Sequence, residues 1–177
     1  MNMNNLSVFY HYVLDVAKQC DIGRVESLDR VRAMGYEGLA FDIVLLTDRA
    51  AQRDLYQAAD LAVTSIYADV DFVHWEPERC RRAADDLLEC CAFFGARTAL
   101  VLPGVFTDGD DRSAGLGRIY EGLEAVCRLA KGSGIDVTIE NFGLDDQLTA
   151  LRRSADFCRR ALGRPPLPLS KEDTTHV

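Results

Sequence analysis

The chain has 177 residues and a mass of 19.7 kDa, a length that suits one domain or slightly more. It carries 28 acidic and 20 basic residues, a formal charge of -8, so the chain as a whole offers no cationic surface for nucleic acid or anionic lipid. No apolar run reaches the roughly 20 residues that a membrane helix needs, and the first residues lack the features of a secretory signal. We therefore expect a cytoplasmic protein with neither a nucleic-acid partner nor a membrane partner.

The six cysteines predict reduced thiols rather than disulfides. Most of them fall in helix-like stretches among Ala and Leu, and Cys90 and Cys91 are adjacent rather than spaced as a CxxC metal motif. A chain of this length with so many apolar residues does not need disulfides for stability. Reduced thiols agree with the expected cytoplasmic location.

Five apolar runs typical of buried strands alternate along the chain with amphipathic stretches typical of helices. The predicted strands cover, in chain order, residues 6–10, 36–42, 62–67, 98–102 and 135–140. The predicted helices cover about residues 25–34, 48–59, 76–95, 116–131 and 145–162. In the second helix, the helical spacing predicts one apolar face made of Ala51, Leu55, Ala58 and Ala59. The aromatic run at residues 10–12 predicts a loop.

Two segments, residues 35–42 and 134–141, repeat one pattern: a glycine, an apolar residue, an acid, a strand and a polar end. Such repeats are typical of tandem βα units, in which helix-covered strands lie parallel. The right-handed crossover rule leaves two architectures, an open five-stranded doubly wound sheet or part of a (β/α)8 barrel. Length alone favours the open sheet, because a full barrel takes about 250 residues.

The last residues differ in composition from the rest of the chain. Three prolines fall between residues 163 and 170, and proline excludes a regular helix or a central strand there. We therefore divide the chain into a domain of residues 1–164 and a proline-rich tail of residues 165–177 that we expect to be disordered.

Candidate functional residues follow the predicted strands, because ligands of parallel α/β folds bind beyond the carboxyl ends of the strands. His11 follows the first strand and Asp42 follows the second. Tyr67 and His74 lie at and beyond the end of the third strand, and Glu140 ends the fifth.

Each of these residues has a functional and a structural interpretation. A carboxylate at the end of an apolar strand is costly to bury unpaired, so Glu140 is a divalent-metal ligand, a catalytic base, or an acid exposed or paired with Lys or Arg. His74 contacts substrate or transfers a proton, or it packs on Trp75. Asp42 binds substrate or caps the following turn, and His11 is a site residue or part of an aromatic loop. Asp69 and Asp71 are expected to be solvated loop acids.

Four segments in their order along the chain resemble one family. They are GYEGLAFD, DLAVTSIYADVDF, PERCRRAADDLLECCAFFGARTALVLPG and AKGSGIDVTIENFG. Together they resemble the sugar phosphate isomerase/epimerase group of xylose-isomerase-like TIM barrels, which share their fold with the endonuclease IV type of DNA repair enzyme. The resemblance covers about residues 6 to 150. It implies an incomplete (β/α)8 barrel with about five βα units, which replaces the open sheet as the favoured architecture.

The resemblance also implies a site and a chemistry. Glu140 would be a ligand of a divalent metal (Mn, Mg, Co or Zn) and a catalytic group, and Asn141 would complete the family's Glu-Asn pair. From their positions after the predicted strands, His74 is the second catalytic candidate, and Asp42, His11 and Tyr67 join Asn141 as substrate-binding candidates. The metal polarises a carbonyl of a sugar or polyol while carboxylates move the neighbouring proton.

The sequence has no match for the family's remaining ligands, an Asp, a His and a second Glu from later strands. We therefore expect a C-terminally truncated barrel whose outer strands have open edges, which would permit a homo-oligomer. Two other functions stay open, a non-catalytic binding or assembly module (a pseudo-enzyme) and a relative of abasic-site endonucleases.

Overall fold

The structure, a computed structural model, describes residues 6–140. These residues form one parallel sheet of five strands: β1 (Ser7–Phe9), β2 (Gly38–Asp42), β3 (Ala62–Asp69), β4 (Thr98–Leu102) and β5 (Asp136–Ile139). The strands pair in chain order, β1-β2-β3-β4-β5. The predicted α/β fold is confirmed. The helix predicted at residues 145–162 and the tail of residues 165–177 lie outside the described residues.

The strand order distinguishes the two architectures that the sequence left open. A doubly wound sheet reverses its strand order at a switch point, whereas each strand here pairs in parallel with the strand before it. Right-handed crossovers without a reversal place the connecting helices on one face, which is the winding of a barrel. The five strands are therefore wound as part of a TIM barrel, and the doubly wound alternative is wrong.

Helices connect the strands. They are α1 (Tyr10–Cys20), α2 (Arg24–Ala33), α3 (Arg49–Ala58), α4 (Pro77–Phe94) and α5 (Arg112–Ala130), with a 3-10 turn at Ile43–Leu45. The predicted start and end of α4 are confirmed, since Pro77 lies in its first turn and Gly95 ends it in a left-handed conformation. In the described part of the chain, no helix is long and apolar enough to cross a membrane.

The prediction of a loop at residues 10–12 is wrong, because these residues open α1. Tyr10 is buried, and its ring lies 4.5 Å from the ring of Phe41 and 5.5 Å from that of Tyr56, measured between centroids. Burying this ring against β2 and α3 stabilises the first turn of the helix. His11 therefore lies in a helix, directly after the end of β1.

The predicted face of α3 is wrong in part. Leu55 and Ala59 are half-buried, but Gln52 and Tyr56 are the buried residues, and Ala51 and Ala58 are exposed. A tyrosine ring buries far more apolar area than an alanine methyl group, so Tyr56 determines which side of the helix faces the core. The Gln52 amide is satisfied in part, because its Nε2 donates to the Leu45 carbonyl at 2.7 Å.

The hydrophobic core lies between one face of the sheet and the helices. Its fully buried side chains include Leu39 and Phe41 of β2, Ile66 of β3, Leu87 of α4 and Val101 of β4. Side chains alternate along a strand, so the residues between these face away from the helices. That second face corresponds to the interior of a complete barrel.

A row of residues on this second face ends at the acid that closes β5. Asp42 is in register with Tyr67, Tyr67 with Leu100, and Leu100 with Thr138. Glu140 lies two residues beyond Thr138, and its backbone N–H donates to a β4 carbonyl at 3.2 Å, so the pairing continues to this residue. The alternation therefore places Glu140 on the same face as Tyr67 and Asp42.

Candidate functional site

Acidic side chains lie near Tyr67 at the carboxyl edge of the sheet. Burial, and then the carboxylates of Asp42, Glu140 and Asp69, raise the pKa of Tyr67 above its ordinary value. The structure thus brings together Asp42, Tyr67 and Glu140, three residues predicted from different strands. Asp69, which the sequence placed in a loop, is the last residue of β3 and joins them.

This acidic cluster, consisting of Tyr67, Asp42, Asp69 and Glu140, has the chemistry of a site for a polyhydroxyl ligand. A tyrosine with a raised pKa stays protonated near neutral pH and can donate a hydrogen bond, while carboxylates accept hydrogen bonds from ligand hydroxyls. The Phe9 ring lies edge-on to Tyr67 with centroids 5.8 Å apart and provides an apolar wall.

Asp42 of this cluster has a structural role as well, and His11 lies at the rim of the cluster. Asp42 accepts a hydrogen bond from the Val44 backbone N–H at 3.1 Å, so it caps the following turn, as its structural interpretation predicts. His11 stacks on Phe9 with centroids 5.6 Å apart and lies 4.1 Å from the Tyr12 ring. Phe9 thus stands between His11 and Tyr67, and Asn141 lies outside the described residues.

His74 lies between two carboxylates. Its Nδ1 is 2.8 Å from Asp71 Oδ2, and its Nε2 is 3.0 Å from Asp110 Oδ2. These hydrogen bonds, the one to Asp71 first, raise the pKa of His74. Asp110 also accepts the Thr107 backbone N–H at 2.6 Å, and that bond, followed by the bond to His74, lowers the pKa of Asp110. Both imidazole nitrogens are therefore engaged, and a proton-transfer role for His74 stays a prediction.

The surroundings of His74 differ from the structural interpretation drawn from the sequence. The cation over the Trp75 ring is the Arg79 guanidinium, 3.8 Å from the ring centroid. Asp71 is not a solvated loop acid, because its Oδ1 accepts the backbone N–H groups of Val73 and His74, each at 3.1 Å. An aspartate that precedes free backbone donors by two or three residues often caps a turn, and this spacing was the available signal.

Glu140 belongs to no complete metal site in the described part of the chain. Among residues 6–140, no group of three or more His, Cys, Asp and Glu side chains lies close enough together to hold a metal ion. The acidic cluster supplies oxygen atoms of the kind that Mg²⁺ and Mn²⁺ prefer, but the described residues do not gather them into one coordination sphere.

The comparison with known families assigns the fold to a family. The family described as the xylose isomerase-like TIM barrel matches residues 28–164. The chain belongs to this family. The resemblance drawn from the sequence is confirmed at this level. Among curated proteins, none matches the chain.

Several solved structures share the fold at low sequence identity. An AP endonuclease of family 2 from Brucella melitensis has 16% identity and a TM-score of 0.65, covering 82% of this chain and 61% of its own. The probable 3-DHS dehydratase AsbF, involved in petrobactin synthesis, from Bacillus anthracis has 13% identity and a TM-score of 0.64, covering 92% and 61%. A sugar phosphate isomerase/epimerase from Parabacteroides distasonis has 11% identity and a TM-score of 0.58, covering 81% and 57%.

The chain spans about three fifths of the length of these structures. A fourth neighbour, the IolI protein, has a zinc atom bound and a TM-score of 0.53 at 10% identity, covering 76% of this chain and 50% of its own. Identities this low establish the shared fold, while the named activities differ from one neighbour to the next.

Proposed function

We propose that this protein binds a small sugar or polyol at the carboxyl edge of the sheet and isomerises or epimerises it with the help of a divalent metal. The observation that carries the proposal is the placement of Asp42, Asp69 and Glu140 near Tyr67 at the carboxyl edge of the sheet, where their charges help to raise the pKa of Tyr67. Membership of the xylose isomerase-like family and a sugar phosphate isomerase/epimerase among its structural neighbours support it.

The acidic cluster suits proton abstraction next to a carbonyl. In such a reaction a carboxylate takes a proton from the carbon beside the carbonyl. Isomerisation returns the proton to the neighbouring carbon, whereas epimerisation requires a second group to protonate the same carbon from the opposite face. We assign the removal of this proton to Glu140, because Glu140 lies at the end of β5 on the same face of the sheet as Tyr67 and Asp42. The Tyr67 hydroxyl would donate a hydrogen bond to a substrate oxygen, and Asp42 would accept one from a substrate hydroxyl. His11 would contact the substrate at the rim of the acidic cluster.

A divalent cation, when bound, would polarise the substrate carbonyl. Within the described residues, Glu140 is the side chain that we assign to it, and Mn²⁺, Mg²⁺, Co²⁺ and Zn²⁺ all accept a carboxylate ligand. Residues 6–140 alone do not complete such a site, since they contain no cluster of three potential ligands. We therefore assign the proton transfer described above to a protein side chain, Glu140, and not to a group bound to the cation.

Solvent exchange tests the proposal across a range of candidate substrates. The protein is incubated in D₂O and Mn²⁺ with a panel of aldoses, ketoses and their phosphates, and deuterium beside the carbonyl is measured by NMR. We expect incorporation with at least one member, and a loss of about 10²-fold or more in Glu140→Gln, the usual effect of removing a general base. The control Glu89→Gln changes an exposed acid on α4 and should retain the rate.

The outcomes separate the candidate functions. Exchange that is equal in Glu140→Gln and in the unchanged protein would contradict the assignment of the base. Saturation-transfer NMR on the same panel detects binding directly, and binding without exchange would favour the non-catalytic binding module. A cytoplasmic location belongs to the same proposal, since the buried thiols of Cys90 and Cys91 suit a reducing compartment.

A further inference from the structure

Two loops lie side by side at the carboxyl ends of β3 and β4. The β3 loop comprises residues 70–76 and the β4 loop residues 103–111. The Val70 N–H donates to the Leu102 carbonyl at 2.9 Å, and the Phe72 N–H donates to the Pro103 carbonyl at 3.1 Å. These bonds extend the sheet pairing beyond the strands and fix the β3 loop to the start of the β4 loop.

Asp71 anchors one side of this junction. Its Oδ1 caps the turn of the β3 loop, and its Oδ2 contacts His74 Nδ1. A Cβ atom at Gly104, whose φ is +101°, would collide with the Asp71 carboxylate, so glycine permits this close approach. The Asp71 side chain is 24% exposed, which limits its freedom to move away from His74.

The far end of the β4 loop is attached to the β3 loop through His74. Asp110 closes a turn by accepting the Thr107 N–H at 2.6 Å and the Thr107 hydroxyl at 2.9 Å. The same carboxylate oxygen contacts His74 Nε2. Asp111 caps α5 directly afterwards, so the position of Asp110 also determines how the loop enters that helix.

This bridge requires both imidazole nitrogens to donate. A neutral imidazole has one N–H group and one acceptor lone pair, and the lone pair would face a carboxylate that has no proton to give. The imidazolium has two N–H groups and matches both carboxylates. Among the neighbouring arginines, Arg118 of α5 donates to the Val73 carbonyl, Arg79 of α4 covers Trp75, and Arg112 of α5 lies over the Phe106 ring, 5.6 Å from its centroid. The Cys80 thiol of α4 faces backbone carbonyls.

We propose that His74, as an imidazolium, is a positioning residue that clamps the β4 loop to the β3 loop and releases it on deprotonation. The β3 loop begins directly after Asp69 of the acidic cluster, so the clamp fixes one wall of the edge at which ligands of this fold bind. The inference does not depend on the reaction proposed above.

The two carboxylates beside His74 determine how the clamp depends on pH, because they favour the protonated imidazole. Because the folded-state pKa of His74 is raised, the clamp is present below its ordinary value of about 6.5 and is lost as pH rises through the higher folded-state value. The pKa of Asp110 is lowered, so its carboxylate stays charged down to pH values below its ordinary range. The clamp is therefore closed at pH values below the folded-state pKa of His74 and opens above it.

Two measurements on the full chain test the clamp, and neither depends on activity. NMR titration of the imidazole should give His74 a pKa above the ordinary value in the unchanged protein. Amide hydrogen exchange at residues 107–110, corrected for intrinsic rates, should accelerate about threefold as the pH rises through that pKa, the size expected for a largely exposed ion pair. A pKa at or below the ordinary value, or exchange that does not follow the titration, would overturn the proposal.

Matched variants identify the bridge as the cause. Asp110→Asn should return the pKa of His74 towards its ordinary value, whereas Asp108→Asn, which neutralises an exposed acid in the same loop, should leave it nearly unchanged. His74→Gln replaces the imidazole with a neutral amide, so exchange at residues 107–110 should no longer follow this titration. If Asp108→Asn lowered the pKa of His74 as much as Asp110→Asn, general loop charge rather than the bridge would be responsible.

Discussion

Gly122 of α5 lies against the ring of a buried phenylalanine. A Cβ atom at this position would come within 2.7 Å of three ring carbons of Phe72, a side chain that is only 5% exposed. Gly117 lies in the same helix, and a Cβ atom there would meet no atom within 4 Å apart from the adjacent residues and backbone of its own helix. The pair therefore separates the crowding of Phe72 from the effect of alanine on the helix itself.

Alanine in place of glycine stabilises a helix interior by about 1 kcal/mol at either position. Crowding a packed aromatic ring costs about 1–3 kcal/mol, so Gly122→Ala should be less stable than Gly117→Ala by about that amount. Urea unfolding of both variants measures the difference as a shift of the midpoint at constant slope. If Gly122→Ala were as stable as Gly117→Ala, α5 would not pack on Phe72 as described.

Three further predictions concern the core, the thiols and the sheet edges. Ser27→Ala should reduce the free energy of unfolding by about 1 kcal/mol, because the buried hydroxyl donates to the Val13 carbonyl at 2.6 Å; an unchanged urea midpoint would contradict this bond. Burial raises the pKa of Cys90 to about 11 and that of Cys91 to about 12, so mass spectrometry after iodoacetamide treatment at pH 8 should show much slower alkylation of both than of exposed Cys20; equal rates would contradict their burial. Within the described residues, β1 pairs only with β2 and β5 pairs only with β4, so each of these two strands has one unpaired edge. Pairing of such edges between chains should give a homo-oligomer that light scattering detects, and a monomer at all concentrations would refute this pairing.

The sequence predicted the elements whose signals are local. The apolar run at residues 98–102 became β4 without a change of boundary, and Pro77 and Gly95 marked α4, because a strand and a helix end depend on neighbouring residues. Residues 10–20 were missed as a helix because the aromatic rings that stabilise its start are buried against β2 and α3, which are distant in sequence. The strand order that identifies barrel winding is likewise a property of pairing, and alternation alone does not determine it.

The candidate site was likewise predictable where its signals are local to the strand ends. The rule that ligands bind beyond strand ends singled out Asp42, Tyr67 and Glu140, and these three side chains lie at one edge. The bridge through His74 could not be predicted, because Asp110 is 36 residues away and approaches only through the path of the β4 loop. Local spacing carries no information about such a contact.

Diffraction from crystals soaked with Mn²⁺ tests the central claim, that Glu140 faces the ligand side of the sheet and binds a cation there. We predict an anomalous peak within about 2.5 Å of a Glu140 carboxylate oxygen, on the face that carries Tyr67 and Asp42. A Glu140 side chain turned towards the helices, or a cation bound only at acids elsewhere on the surface, would contradict the claim.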